Sequence, residues 1–234
     1  SSNTIFKYGE VNSFYSHGVS IGNIYTVDKK DYMLFMGWQV QDGEHWRGDI
    51  GRLELEDNKS LALNPNKVFM GCDEKDKVSL SYPWVMYDES VYKMWYGSTE
   101  SWSSDNGEMI HVIKYATSKD GKNWIRDGHI CIDFKDNNEN ALARPYVLYE
   151  DNIWKMWFSY KGDTAYQLGY AESYDGVDWV RNDSFSGISV GSQGEFDSEM
   201  IAYAAVVNYK GQHFMFYNGN NYGYDGIGLA VEKL

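Results

Sequence analysis

Asp197 and Glu199 stand either side of Ser198 in the string Asp197-Ser198-Glu199-Met200-Ile201. Two carboxyl groups, one of them kept protonated, can divide the work of general acid and general base between them. Glu199 is therefore read as a general acid, or as a general base acting through water, with Asp197 as its neighbour. The plainer reading is that both carboxylates accept backbone N–H groups and pair with Arg144, which would hold them ionised and structural. Arg144 precedes Pro145 at the head of an apolar strand, and proline is expected to push it into the extended region. Its planar fork suits a carboxylate or phosphate on a ligand, and an internal partner such as Glu199 serves equally. His17, in Ser16-His17-Gly18, has the side chain of a proton carrier near neutral pH, although a hydrogen-bonded scaffold role is the commoner one for a lone histidine.

A saccharide offers apolar C–H faces and a rim of hydroxyls, so its site needs aromatic platforms beside carboxylates, amides and arginine. Asp197, Glu199, Arg144, Asn140, Asn218 and Asn220 supply the polar set, and Trp84, Tyr160, Tyr166, Tyr203 and Tyr222 are the candidate platforms. The expected substrate-binding group is His17, Asn140, Arg144, Tyr160, Tyr166, Tyr203, Asn218 and Asn220. No cofactor is expected. The two cysteines, Cys72 and Cys131, read as reduced thiols, and neither they nor the five histidines have metal-ligand spacing. Asp133, Asp136, Asn137, Asn138 and Glu139 form an acidic, amide-rich connector whose pattern is not that of a calcium loop; a solvated loop is the simpler account.

The elements that must position these residues come from a fourfold repeat. Met33, Met94, Met156 and Met215 recur at nearly even intervals, each inside an aromatic, strand-like run. A regular recurrence of such runs indicates an array of blades. Tyr115-Ala116-Thr117-Ser118-Lys119-Asp120-Gly121-Lys122-Asn123-Trp124 returns one unit later as Tyr170-Ala171-Glu172-Ser173-Tyr174-Asp175-Gly176-Val177-Asp178-Trp179. Asp-Gly reads as a two-residue hairpin turn, because glycine takes positive φ freely and aspartate tolerates it. The middle units divide into strand A (83–87, 145–149), B (91–97, 153–160), C (111–118, 167–173) and a short D (123–126, 178–181). Four antiparallel strands per unit predict an all-β propeller, in one domain over residues 1–234 with repeats near 14–62, 76–132, 139–185 and 196–234.

Composition agrees: 17% of residues are aromatic and there are only 3 prolines, a bias toward pleated, half-buried surfaces. A net charge of −13 argues against a nucleic-acid partner, since phosphate binding needs clustered lysine and arginine. No apolar stretch is long enough to span a bilayer and no signal-peptide pattern opens the chain, so a cytoplasmic location is the expectation, with processing of the N-terminus left open.

Overlaying the inner strands puts His17, Val78, Asn140 and Glu199 in one column and Ile21, Tyr82, Arg144 and Tyr203 in a second, further along the same strands and with the same facing by strand alternation. Strand A starts where strand B ends. His17, Asn140, Arg144, Glu199, Tyr203 and Asn218 are therefore expected to converge at one mouth.

On the two Tyr-Ala-x-Ser-x-Asp-Gly-x-x-Trp strings, Ala143-Arg144-Pro145, Asp197-Ser198-Glu199-Met200-Ile201 and Tyr217-Asn218-Gly219-Asn220, the chain resembles the five-bladed propellers of the glycoside hydrolase family 32 and 43 type. The resemblance is nearer still to uncharacterised relatives associated with bacterial polysaccharide gene clusters. It implies a glycosidase-like propeller acting on or binding a bacterial cell-surface or capsular saccharide; the alternative is a carbohydrate-binding or assembly module that kept the fold and lost the acids. Related hydrolases often carry aspartate where Arg144 stands, and their first blade, which would precede residue 10 here, carries an essential carboxylate. Self-association or an upstream domain completing the propeller is expected, because an open end leaves a sheet edge unpaired.

Overall fold

The computed structural model describes residues 6–40, 42, 44–56, 60–63, 67–102, 108–162 and 164–233. The chain divides into two compact units, Ser1–Ile130 and Cys131–Leu234. The first holds β1 (Gly18–Val27), β2 (Lys30–Val40), β3 (Trp46–Leu55) and β4 (Leu61–Leu63), then β5 (Ser79–Asp88), β6 (Val91–Ser101), β7 (Ile110–Ser118) and β8 (Ile125–Ile130). The second holds β9 (Ala141–Glu150), β10 (Ile153–Lys161), β11 (Gln167–Ser173) and β12 (Val180–Arg181), then β13 (Ala202–Tyr209), β14 (Gln212–Asn218) and β15 (Ile227–Val231). Each group is an antiparallel meander. Among the described residues the only helical pieces are two 3₁₀ turns, Asp183–Phe185 and Asn221–Gly223, and the last meander has three strands where four were expected.

The middle strand of a blade is covered on both faces, so it reads as an unbroken apolar run. Met94, Trp95 and Tyr96 are consecutive in β6 and fully buried; alternation sends Met94 and Tyr96 into the core of the first unit beside Leu34, Ile50 and Leu80 and Trp95 to the opposite side. In the second unit Trp157 of β10 and Met215 of β14 meet across a core with Tyr170, Ile201 and Val206. Burying one such side chain is worth about 1.5–3 kcal/mol.

The Asp-Gly turns differ from the two-residue hairpin. The loop from β7 to β8 is longer and is organised by side chains: Ser118 Oγ accepts the Gly121 N–H at 2.9 Å, and Asp120 Oδ1 accepts those of Lys122 and Asn123, both at 2.8 Å. Ser173, Asp175 and Gly176 repeat the arrangement, with φ 65° at Gly121 and 76° at Gly176. These backbone donors, Asn123's first, hold the Asp120 carboxyl well below its ordinary range. Ser-x-Asp-Gly-x-x-Trp is thus a self-capped loop, and both aspartates are engaged in it.

Every inner strand carries one bulge at the same place. In β9 two residues, Arg144 and Pro145, stand opposite the single Phe158; in β5 Tyr82 and Pro83 face Tyr96; in β13 Tyr203 and Ala204 face Tyr217; in β1 Gly22 and Asn23 face Leu34. The first residue of three of these pairs is left-handed, with φ 43° at Tyr82, 53° at Arg144 and 60° at Tyr203. Arg144 is therefore not extended as its proline suggested. The bulge tolerates the proline because the extra residue makes no ladder hydrogen bond. It also reverses strand alternation for the residues beyond it. In β1 the matching residue is Gly22, not Ile21, and Pro83's carbonyl leaves no room there for a Cβ.

Candidate functional site

Three tyrosines meet in the second unit. Tyr166 lies just ahead of β11, Tyr203 is the bulge residue of β13, and Tyr222 sits in the 3₁₀ turn after β14. Their ring centroids are 6.1 Å (166–203), 6.2 Å (166–222) and 6.2 Å (203–222) apart. Cations lie over two of the rings: the Arg144 guanidinium is 5.2 Å from the Tyr203 centroid and Lys161 Nζ is 5.9 Å from that of Tyr166. Tyr166, Tyr222, Lys161, Glu199, Asn220 and Asn221 line a cavity of ≈ 330 Å³.

The loop backbone that holds these side chains is tied by amides. Asn220 Oδ1 accepts the N–H groups of both Glu199 and Met200 at 2.9 Å, and its Nδ2 reaches the Glu195 carbonyl at 3.3 Å. Gln167 Nε2 donates to the Glu199 carbonyl at 3.2 Å, and the Ile201 N–H donates to the Tyr166 carbonyl at 3.1 Å. Asn218 Nδ2 donates to the Tyr222 carbonyl at 2.9 Å, which fixes a turn whose residues Asn221 and Tyr222 have φ 53° and 57°. The main chain of Glu199 is clamped on both sides while its side chain is exposed. The described hydrogen bonds of Asn218 and Asn220 tie the loop backbone that carries Glu199 and Tyr222.

Asp197 takes a different place. It is 7% exposed, accepts the Tyr217 hydroxyl at 2.7 Å and does not line the cavity. Its counterpart in the second repeat is Asp76, which accepts the Tyr96 hydroxyl at 3.0 Å; Tyr96 and Tyr217 both face a bulge. The Asp–Tyr pair is a recurring fastening of the blade. Burial first, and the Asp197 carboxylate second, push the Tyr217 hydroxyl up to about 12.

Asn140 and Tyr160 do not join the tyrosine group. In the β9–β10 ladder Ala141 faces Lys161 and Leu142 faces Tyr160, so Asn140 and Tyr160 share the face opposite Lys161. Tyr160 lies 4.8 Å from the Arg181 guanidinium, which also grips Glu139 through both carboxylate oxygens, at 2.7 and 2.8 Å. Glu139 is thus part of a buried ion pair, not of a solvated connector. Asn140 is 6% exposed and its Oδ1 has no hydrogen-bond partner among the described residues. His17 lies in the first unit, where Nδ1 is 3.0 Å from Ser16 Oγ and accepts the Val40 N–H at 3.2 Å; the register of β1 places Gly18, not His17, at the position matching Asn140. Trp84 follows the bulge in β5, opposite Trp95.

Lys161 lies in the strand B end loop, 159–163, whose residues the sequence places around a ligand. Its signal is the aromatic-basic end of strand B, Tyr160-Lys161, where alternation has to decide which of the two faces the cavity. A second, larger cavity in this unit, ≈ 580 Å³, is floored by the core residues Trp157, Tyr170, Val206 and Met215 and rimmed by His213 and Glu232; its floor is packing surface, whereas the tyrosine cavity gathers clamped loops and polar groups.

No model of a protein family matches the chain. The uncharacterised protein Rv1502 of Mycobacterium tuberculosis is 37% identical over 227 residues, 97% of this chain and 75% of that protein. Among solved structures, a glycoside hydrolase superposes with a TM-score of 0.75 at 15% identity, over 96% of this chain and 72% of its own. The endo-arabinase from Bacteroides thetaiotaomicron gives 0.66 at 14%, over 97% and 78%, and a thermostable family-43 glycoside hydrolase 0.66 at 15%, over 89% and 69%. At such identities the likeness establishes the fold, an all-β propeller of the glycoside hydrolase type, and leaves the reaction to the site.

Proposed function

This chain belongs to the family of the mycobacterial protein Rv1502, and from that premise we propose that it is a saccharide-handling propeller whose tyrosine cavity holds a sugar of a bacterial cell-surface or capsular polysaccharide, with Glu199 as the acid or base of glycosidic cleavage. The observation that carries the reading is the cavity itself: aromatic faces at Tyr166 and Tyr222 beside an exposed carboxylate whose main chain is clamped by Asn220 and Gln167. Aromatic faces take the C–H side of a sugar ring and the polar rim takes its hydroxyls.

A second reading, a module that binds without cleaving, is favoured by one specific observation. Among the described residues lining this cavity Glu199 is the single carboxylate, since Asp197 is held by Tyr217, and cleavage calls for two. Calorimetric titration with a panel of oligosaccharides, run beside a turnover assay on the same panel, separates the two. Turnover in the wild type that falls by about a hundredfold or more in Glu199→Gln, with binding kept, supports the enzyme. Binding without turnover supports the module, and unchanged turnover in Glu199→Gln removes Glu199 from the chemistry.

A further inference from the structure

Glu199 and Asn220 line the tyrosine cavity and also a broader depression of ≈ 730 Å³ next to it in the same unit. Phe196, Glu195, Ser198 and Asp225 line this second depression and do not line the first. The fold makes a place for the Phe196 ring. Gly219 and Gly226 lie so close that a Cβ on either would collide with it. The Gly219 N–H donates to the Gly226 carbonyl at 3.0 Å and the Asn220 N–H to the Phe196 carbonyl at 2.7 Å, which holds the three segments together. The ring stacks on Tyr217, with centroids 6.1 Å apart and planes 26° apart, and Phe196 is still 36% exposed. Single apolar residues at a surface are ordinary; this one is distinguished by two glycines that fix its ring in a polar depression. The wall between the two depressions is tied from both sides. Asn220 Nδ2 reaches the Glu195 carbonyl at 3.3 Å and Ser198 Oγ at 3.4 Å while its Oδ1 holds the Glu199 N–H, and Asn221 Nδ2, on the tyrosine side, donates to Asp225 Oδ2 at 2.7 Å. Among the described residues lining the second depression there is no lysine, arginine or histidine, and three carry carboxylates, Glu195, Glu199 and Asp225. Carboxylates accept hydrogen bonds, so the chemistry that matches them beside an aromatic face is a ring rimmed with hydroxyl donors and free of negative charge.

We propose that the Phe196 depression is a second sugar subsite, so that the ligand is a neutral oligosaccharide with one ring on Tyr166 and Tyr222, the next on Phe196, and the linkage between them crossing Glu199. This rests on the saccharide reading above and narrows its ligand to a segment of a neutral chain in place of a single sugar. Glu199 then belongs to both subsites, and Glu195 and Asp225 take hydroxyls of the second ring.

The experiment is calorimetric titration with monosaccharides and the disaccharides built from them: glucose, galactose, mannose, N-acetylglucosamine and arabinose as neutral series, and galacturonate with digalacturonate as the charged one. In the neutral series that binds, the disaccharide is expected to bind at least about tenfold more tightly than its monosaccharide, the scale of one further aromatic face with its hydrogen bonds. Digalacturonate should show no such gain over galacturonate, since its second carboxylate meets three of like charge. Phe196→Ala should lower affinity for the neutral disaccharide by about tenfold and leave the monosaccharide within about twofold, whereas Tyr222→Ala should weaken both. Equal affinity for monosaccharide and disaccharide, equal losses for the two in Phe196→Ala, or a gain in the galacturonate pair as large as in the neutral pair overturns the proposal and leaves the saccharide reading standing. Absence of binding by every sugar in the set overturns the two together. The comparison of chain lengths on the wild-type protein needs no substitution, and it keeps the test open should Phe196→Ala impair folding.

Discussion

Asp76 and Asp197 occupy the same place in two repeats, and their surroundings have opposite characters. Asp76 is fully buried and accepts Tyr96 at 3.0 Å, Ser98 at 2.7 Å and Arg126 at 2.8 Å, with Lys114 Nζ at 3.3 Å. Nearby, His111 is also fully buried between Ser81 and Thr99, each 2.8 Å from a ring nitrogen, and burial pushes its pKa down to about 3, so it stays neutral. Its serine neighbour does not make it a nucleophile's base, because no substrate reaches a sealed pair. Around Asp197 there is one hydroxyl, from Tyr217, and just beyond it the chain opens to the exposed Glu199 and the tyrosine cavity. One repeat turns its polar groups on itself; the other keeps a single fastening and presents the rest outward. The lesson is that a repeat-equivalent carboxylate is a fastening until exposure says otherwise.

Removing the fastenings gives the largest contrast. Asp76→Ala takes from the buried Arg126 and Lys114 one carboxylate of two, leaving Asp73 and Glu100, and strands the Tyr96 and Ser98 hydroxyls, with an expected cost of about 3–5 kcal/mol. Asp197→Ala strands a single tyrosine hydroxyl and should cost about 1–3 kcal/mol. Urea unfolding of both variants checks the order; an equal or larger loss at Asp197 would make it more than a fastening. Asn220→Ala comes next. It removes the acceptor shared by the Glu199 and Met200 N–H groups, with an expected stability loss of about 1 kcal/mol together with weaker saccharide binding, read by the same unfolding curves and by titration. Glu199→Gln should change stability by no more than about 0.5 kcal/mol, as an exposed substitution without described side-chain partners does, while altering turnover. A stability loss as large as that of Asp197→Ala would move Glu199 from the open side of the comparison to the sealed side.

The smallest effect expected is one of pH. His213 lies between Glu150, 2.8 Å from Nε2, and Glu232, 2.7 Å from Nδ1. Burial would lower its pKa, but hydrogen bonds to Glu232 and Glu150 outweigh it and raise the value above the ordinary 6.5. A raised folded-state value means that the stabilisation is fully present below about 6.5 and is lost as pH climbs through the folded value. Melting temperature should therefore decline as pH rises from about 6.5, and His213→Gln should flatten that decline. Glu150 and Glu232 have lowered values, so their share of the contact is lost instead as pH falls into the acid range. His111, buried and neutral, should add nothing to the decline at higher pH; its destabilising effect appears at acid pH, where the unfolded chain takes up a proton that the folded one refuses.

Much of the fold is legible residue by residue. The sequence places strands B and C of the middle units close to the observed β6, β7, β10 and β11, because alternation and aromatic runs are local properties of the chain. Inner strands read from the sequence start at Pro83 and Pro145, yet β5 and β9 begin at Ser79 and Ala141; the bulge that admits the proline is a matter of pairing with β6 and β10. Arg144, Tyr203, Asn218 and Glu199 are neighbours by the sequence pattern, and the second unit does gather them about one group of tyrosines. Asn140 joins them only in the column overlay and Tyr160 only as an aromatic platform; the ladder register instead turns Lys161, on the face opposite both, toward Tyr166.

What the sequence determined by itself is the repeat and the all-β class, since these follow from strand alternation and a regular recurrence of aromatic runs; the Ser-x-Asp-Gly-x-x-Trp strings recur legibly, but they read as two-residue hairpins and fold as longer loops capped by their own side chains. What only the tertiary structure decided is which polar group is engaged and which is presented. That Asp197 belongs to Tyr217, that Glu139 belongs to Arg181, and that Arg144 turns onto Tyr203 depend on bulge register and on partners far away along the chain. A bulge adds one residue to one strand, and that single residue reverses the facing of everything before it relative to everything after; no local pattern in the chain states where the partner strand will leave its extra residue unpaired.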